Sequence, residues 1–168
     1  MEDIEVFVEV CRDDVTLPFY ANIGDAGMDV CAAVDMKIAP SETIIVPTGL
    51  KLAIPVGFEV QVRPRSGLSL KTPLRISNSP GTIDSGYRDE VGIIITNESH
   101  VGNNEADEIE YDISEKGNKK GIYRIRKGDR IAQLVLQRVP RMKLVVVDSV
   151  KDIGENRGGG FGSTGVKL

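Results

Sequence analysis

The chain has 168 residues and a formal net charge of −4 at pH 7, with 25 acidic against 21 basic residues. One domain of this size can bury a substantial core, and its acidic balance speaks against a non-specific nucleic-acid binder. No apolar run approaches membrane-spanning length, a lone histidine, His100, in a polar stretch speaks against a Ser-His-Asp triad or a multi-histidine metal site, and Cys11 and Cys31 lack zinc-site spacing.

In chain order, Glu2 and Asp3 are not the start of a secretory leader. The two cysteines read as reduced thiols of a cytoplasmic protein. Ile4, Val6, Val8 and Val10 alternate with Glu5, Phe7 and Glu9, which predicts a half-buried strand. The turn-rich Asn22 to Gly27 precedes Met28-Asp29-Val30-Cys31-Ala32, a short apolar strand with a carboxylate inside it. Met36 to Ala39 and Thr43 to Val46 flank Pro40-Ser41, a strand-turn-strand signal. Leu50 to Ile54 and Phe58 to Arg63 are further strands around Pro55-Val56-Gly57. Arg63 to Lys71 is basic and hydroxyl-rich and opens into one short helix that Pro73 ends.

From Pro80 to Gly92, Asp84-Ser85-Gly86 stands between Ile83 and the alternating Val91, Ile93 and Ile95, which reads as a β-hairpin carrying Asp84 and Tyr87 at its tip. Glu98 to Gly121 is polar and reads as a solvated insertion or a long hairpin excursion. Tyr123 to Ile125, Arg130 to Leu136 around Gln133, and Met142 to Val147 are the remaining strands, with a turn at Lys127-Gly128-Asp129. Asn156 to Gly165 is a glycine-rich tail. Many short strands with Gly/Pro turns predict an all-β barrel or sandwich, a jelly-roll-like core built on Val, Ile and Leu.

Five polar islands interrupt this pattern: 26–32, 63–71, 78–92, 128–136 and 157–165. They hold carboxylates, arginines, hydroxyls, an amide and many glycines. Arginines and the backbone N–H groups of glycine turns are what polyphosphate binding requires. Singly, most have a plain structural reading: a surface ion pair for Arg65, a satisfied backbone group for Gln133, a disordered tail for the last island.

In order, the islands resemble the five motifs of the trimeric dUTP pyrophosphatase (dUTPase) family. They are Ala-Gly-Met-Asp-Val at 26–30, Arg-Pro-Arg-Ser-Gly-Leu at 63–68, Gly-Thr-Ile-Asp-Ser-Gly-Tyr-Arg at 81–88, Gly-Asp-Arg-Ile-Ala-Gln-Leu at 128–134 and Arg-Gly-Gly-Gly-Phe-Gly-Ser-Thr-Gly at 157–165. Three positions depart from the pattern: Met28 where the family often has an aromatic, Asp89 where glycine is common, and a longer 98–121 segment.

The resemblance implies one dUTPase domain over 1–168, a jelly-roll-like barrel with a flexible arm over 154–168. It implies hydrolysis of dUTP to dUMP and pyrophosphate with Mg²⁺, which keeps uracil out of DNA and supplies dUMP for thymidylate synthesis. Asp84 is then the general base for the attacking water, and Asp29 holds the metal indirectly, through water. Arg65, Ser66 and Gly67 line the phosphates, Ser66 facing the oxygen that bridges the α and β phosphates, and Gln133 contacts a phosphate through its amide. Gly81, Ile83 and Asn78 belong to the uracil-reading segment, and Tyr87 packs on the deoxyribose. Arg157, Gly162, Ser163 and Thr164 close over the γ-phosphate while Phe161 stacks on uracil. The resemblance also implies a homotrimer with active sites shared between subunits. A dCTP deaminase of the same superfamily and a regulatory protein on this scaffold are the alternatives; the complete fifth motif and the Arg65-Ser66-Gly67 run look like the pyrophosphatase branch.

Overall fold

The computed structural model describes residues 3–100 and 109–159, so Phe161, Gly162, Ser163 and Thr164 lie outside the described residues. The strands are β1 (Phe7–Val10), β2 (Met28–Cys31), β3 (Met36–Ile38), β4 (Thr43–Pro47), β5 (Leu50–Ala53) and β6 (Phe58–Arg63), then β7 (Leu74–Ile76), β8 (Gly81–Asp84), β9 (Gly92–Asn97), β10 (Glu110–Asp112), β11 (Ile122–Ile125) and β12 (Arg130–Arg138). Among the described residues there is one helix, α1, at Ser66–Lys71. The fold is the expected all-β, jelly-roll-like type.

The strands form sheets ordered β2-β12-β6-β8, β4-β9-β7, β10-β11-β3 and β1-β5. Period-2 alternation explains their faces. In β6, Val60 and Val62 are buried and Glu59, Gln61 and Arg63 point to the other face, half exposed. In β9, Ile93, Ile95 and Asn97 are buried. The buried Asn97 is satisfied: its amide donates to the carbonyls of Ile38 and Gly121, and its oxygen accepts the Ser99 N–H. The core is aliphatic, from Val30 and Ile38 through Ile93 and Ile95 to Ile125 and Ile131, with Tyr123 the one fully buried aromatic among the described residues.

The helix ends as its sequence predicts. Thr72 is extended (φ −134°, ψ 161°), as a residue before proline prefers, and its N–H and hydroxyl both bond the Leu68 carbonyl.

Three expectations are corrected. The 80–92 stretch is not a hairpin. Its turn forms, with the Tyr87 N–H on the Asp84 carbonyl at 3.1 Å, but β8 pairs with β6 whereas β9 lies between β4 and β7. The stretch therefore crosses between two sheets, because alternation identifies a strand but not its neighbour. Second, Ile4 to Val10 is not a half-buried strand: only Phe7–Val10 is strand, and all four of its residues are exposed in the single chain. Third, Met142 to Val147 forms no strand; every residue from 139 to 159 is exposed. A lone extended segment gains no ladder bonds without a neighbouring edge.

Within the segment read as an insertion, β10 pairs in parallel with β11 and Ile113 is buried. Tyr111 packs against Tyr123 with ring centroids 5.8 Å apart.

Candidate active site

Asp29 sits in β2 with 4% of its surface exposed. Its carboxylate accepts hydrogen bonds from Arg65 Nε at 3.0 Å, Arg130 Nη1 at 3.0 Å and Gln133 Nε2 at 3.3 Å. β-pairing brings these groups together: Gln133 lies opposite Asp29 on one side and opposite Arg63 on the other, and Arg65 follows β6 after Pro64. Arg130 and Gln133 are three residues apart, so strict alternation would put them on opposite faces. A register shift between Arg130 and Ala132 removes that conflict. Two guanidinium charges against one carboxylate leave the cluster net positive. A buried carboxylate in this setting fixes the two arginines in place, since losing either partner strands a buried charge.

The cluster borders a cleft of ≈ 330 Å³ lined by Arg65, Gly67, Lys71, Ser114, Asp129 and Arg130 among others. Ser66 and Gly67 open α1 and are exposed beside it. Among the described residues nothing requires a glycine at 67: a Cβ there would meet no atom within 4 Å. Glycine inside a helix costs roughly 0.5–1 kcal/mol relative to alanine. Open space above it leaves the backbone accessible to an oxygen from outside.

A second cleft, ≈ 220 Å³, is lined by Asn78, Gly81, Thr82, Ile83 and Tyr87 with Val62, Val91 and Gly92. Here a glycine fits a tight place: a Cβ at Gly81 would lie 3.1 Å from Asn78 Nδ2 and 3.2 Å from Val62 Cβ, so these neighbours would have to shift by a few tenths of an ångström. Asp84 ends β8 with its side chain exposed.

The structure thus gathers Asp29, Arg65, Gly67 and Gln133 at one place and Asn78, Gly81, Ile83 and Tyr87 at another. Asp84 pairs with Glu59, whereas Gln133 pairs with Arg63 at the other end of β6. At about 3.3 Å per residue and about 4.8 Å per strand, that separation is roughly 13 Å along the sheet and roughly 10 Å across it. Arg157 is exposed and belongs to neither group. Two residues were not singled out from the sequence. Arg130 is hidden by the register shift, which alternation cannot foresee. Glu90 receives both Arg12 guanidinium bonds, at 2.6 and 2.7 Å, and the Gly49 N–H at 2.7 Å; its partners are remote in sequence.

The Arg12 hydrogen bond holds the Glu90 carboxyl below the usual glutamate range, against the opposing effect of burial, and the Gly49 N–H adds to it. A depressed folded value contributes stability that is complete above the ordinary glutamate range and lost as pH falls through the folded value. Wild-type protein should therefore lose its stability advantage over Glu90→Gln on acidification, read from denaturant melts across the acid range. An advantage independent of pH would contradict this.

As to a metal, no group of three or more His, Cys, Asp or Glu that could hold an ion occurs among the described residues. Asp29 is already engaged by three donor side chains, and Asp129 accepts the Arg126 N–H at 2.7 Å. This donor set suits a polyanion that carries its own cation. It does not suit a protein-built cage, and Mg²⁺, which dehydrates reluctantly, does not need one.

Comparison with known proteins agrees with the motifs. The dUTPase family profile matches residues 13–104 and 110–165. The deoxyuridine 5'-triphosphate nucleotidohydrolase of Hydrogenobaculum sp. is 40% identical over 167 residues, covering 98% of this chain and 100% of its own. That of Picosynechococcus sp. is 40% identical over 149 residues, covering 89% and 90%. Among solved structures, a point variant of the Staphylococcus bacteriophage 80alpha dUTPase with dUpNHpp is 32% identical, covers 96% of this chain and 99% of its own, and has a TM-score of 0.81. A variant of the dUTPase from phage phi11 of S. aureus, described for its coordination of a structural Mg(II) ion, is 29% identical with a TM-score of 0.79, covering 87% and 98%. With its motifs in family order and these relatives along nearly its full length, the chain belongs to the dUTPase family.

Proposed function

We propose that this protein hydrolyses dUTP to dUMP and pyrophosphate by in-line attack of an Asp84-activated water on the α-phosphorus. The observation that carries the reading is the net-positive Asp29-Arg65-Arg130-Gln133 cluster beside an open, otherwise unexplained Gly67. Phosphoryl chemistry asks a protein chiefly for positioning and charge neutralisation. Arg65 and the Gly67 backbone hold phosphate oxygens, Gln133 donates its amide to one, and Ser66 donates to the oxygen between the α and β phosphates as negative charge builds there. Asp84, exposed and acceptor-only when ionised, takes the proton of the attacking water. Mg²⁺, bound with the triphosphate and steadied by Asp29 through water, would supply further neutralisation of those oxygens. Arg157, Gly162, Ser163 and Thr164 close over the γ-phosphate and Phe161 covers the uracil, excluding water. The product role is to keep uracil out of DNA and to supply dUMP for thymidylate synthesis in the cytoplasm; no described helix is long and apolar enough to cross a membrane.

Uracil sits in the cleft of Asn78, Gly81 and Ile83. Its N3–H donates where cytosine accepts, so a backbone frame built for uracil leaves polar groups unpaired with cytosine. Tyr87, 40% exposed in the chain, packs on the sugar where a 2′-hydroxyl would stand. Tyr87→Ala should raise UTP hydrolysis relative to dUTP by roughly tenfold or more. An unchanged ratio of kcat/KM values would mean that another group gates the sugar.

The working unit is a homotrimer with shared sites. The separation of Asp84 from Gln133 across β6 is too large for one chain to place both on one α-phosphate. The uracil cleft, ≈ 220 Å³, lies below the ~300 Å³ low end of ligand pockets, and the phosphate cleft, ≈ 330 Å³, barely above it. The chain also exposes Val8, Leu17, Tyr20, Met142, Val145 and Val146. An apolar groove of ≈ 370 Å³ along Val6, Val8, Leu17, Met28, Leu52 and Leu134 is open to a neighbour's segment.

Hydrolysis of dUTP in ¹⁸O-water tests the chemistry. Attack at the α-phosphorus puts the label in dUMP. Label in pyrophosphate, release of orthophosphate, or ammonia from dCTP would overturn the reading.

A further inference from the structure

The loop that joins β8 to β9 is anchored at both ends. At its start, β8 pairs with β6 and the Tyr87 N–H closes the turn on Asp84. At its end, the Val91 N–H bonds the Leu50 carbonyl at 2.8 Å, and the Val91 carbonyl accepts the Thr48 hydroxyl at 2.7 Å. Between these anchors, Tyr87 makes one hydrogen bond through its hydroxyl, to the Glu90 carbonyl at 3.0 Å. The ladder holds Asp84 and backbone bonds hold the turn, but the hydroxyl end of the Tyr87 ring is fixed through Glu90.

Glu90 is held from outside the loop. Its Oε1 accepts Arg12 Nε and the Gly49 N–H, and its Oε2 accepts Arg12 Nη2, so one carboxylate receives three donors. The Glu90 side chain is 25% exposed. The clamp is built in detail. Gly49 has φ +72°, and a Cβ there would lie 2.4 Å from Val15 Cγ2 and 3.3 Å from Arg12 Cβ, so only glycine lets the 12–15 segment lie on this turn. Cys11 donates its N–H to the Gly49 carbonyl at 2.9 Å and brings Arg12 into register. A bidentate arginine fixes direction as well as distance.

We propose that Glu90, clamped by Arg12 and Gly49, is a positioning residue that sets the Tyr87 ring and thereby the choice of deoxyribose over ribose. Glu90 touches no part of the nucleotide; it acts through its carbonyl on the Tyr87 hydroxyl. The inference rests on the reading that Tyr87 packs on the sugar.

The test measures kcat and KM for dUTP and UTP in Arg12→Ala, Arg12→Lys, Glu90→Gln and Tyr87→Phe, beside Tyr87→Ala, each first checked for a wild-type circular-dichroism spectrum and assembly state. Arg12→Ala and Glu90→Gln should each narrow the dUTP-to-UTP ratio of kcat/KM by roughly tenfold, the scale for losing a hydrogen bond to a charged group, and Tyr87→Phe, which loses a bond to a neutral carbonyl, by roughly fivefold. The loss should appear chiefly in KM for dUTP, and Arg12→Lys, which keeps the charge but not the fork, should recover part of it. If Tyr87→Ala changes the ratio while Arg12→Ala, Glu90→Gln and Tyr87→Phe leave it unchanged, the clamp is not the positioning device and the sugar reading stands. If Tyr87→Ala leaves it unchanged, the sugar reading fails and the inference falls with it. Equal losses for both nucleotides in the clamp variants would mark a purely structural ion pair and overturn the inference.

Discussion

Asp84→Asn should lower kcat for dUTP by about a hundredfold or more, the usual scale for loss of a general base, with KM almost unchanged. Asparagine has the shape of aspartate but cannot take a proton from water. Asp84 closes β8, where pairing with Glu59 and the turn bond from Tyr87 hold its backbone. Its side chain is exposed and receives none of the ion pairs that fix Asp29. The substitution should thus leave folding and assembly intact, so that an activity loss reports chemistry. The measurement is steady-state dUTP hydrolysis, with binding of a non-hydrolysable dUTP analogue as the affinity control. Turnover near wild type would remove Asp84 from the role of base.

Two inactive chains should rebuild activity when mixed. One carries Asp84→Asn; the other is truncated before Arg157. Each refolded alone gives trimers in which no site has both an active base and a tail. If base and tail of a site come from different chains, random mixing gives each an even chance of being intact, hence roughly a quarter of sites complete. If both came from the same chain, no mixture could complete a site. The measurement is dUTP hydrolysis by the co-refolded mixture against each parent refolded alone, with trimers verified by light scattering. Activity no greater than that of the parents would sink the shared-site arrangement. The sheet geometry already separates Asp84 from Gln133, at opposite ends of β6 and one strand to either side of it; the mixture asks whether the tail, too, comes from another chain than the base.

Much of this protein is local, and its sequence determines that part. Alternation at Phe58 to Arg63 places β6 to the residue, and Arg63 to Pro73 yields one short helix that stops where proline forbids its continuation. Glycine turns at Gly57 and Gly128 need positive φ, which only glycine adopts freely. Motif order likewise identifies the family without coordinates. Pairing is not local, and only the tertiary structure decides it. A period of two marks Ile83 and Ile93 as buried but is silent on their neighbours, so the apparent hairpin is a crossing between sheets. The register shift that turns Arg130 toward Asp29, beside Gln133, exists only in the β12–β2 ladder. Glu90 meets Arg12 and Gly49 because β1 pairs with β5, across a sequence distance no short-range pattern spans. Ile4 to Val10 and Met142 to Val147 carry strand patterns whose burial one chain does not provide. Side-chain periodicity sets which face is apolar; what covers that face depends on long-range contacts.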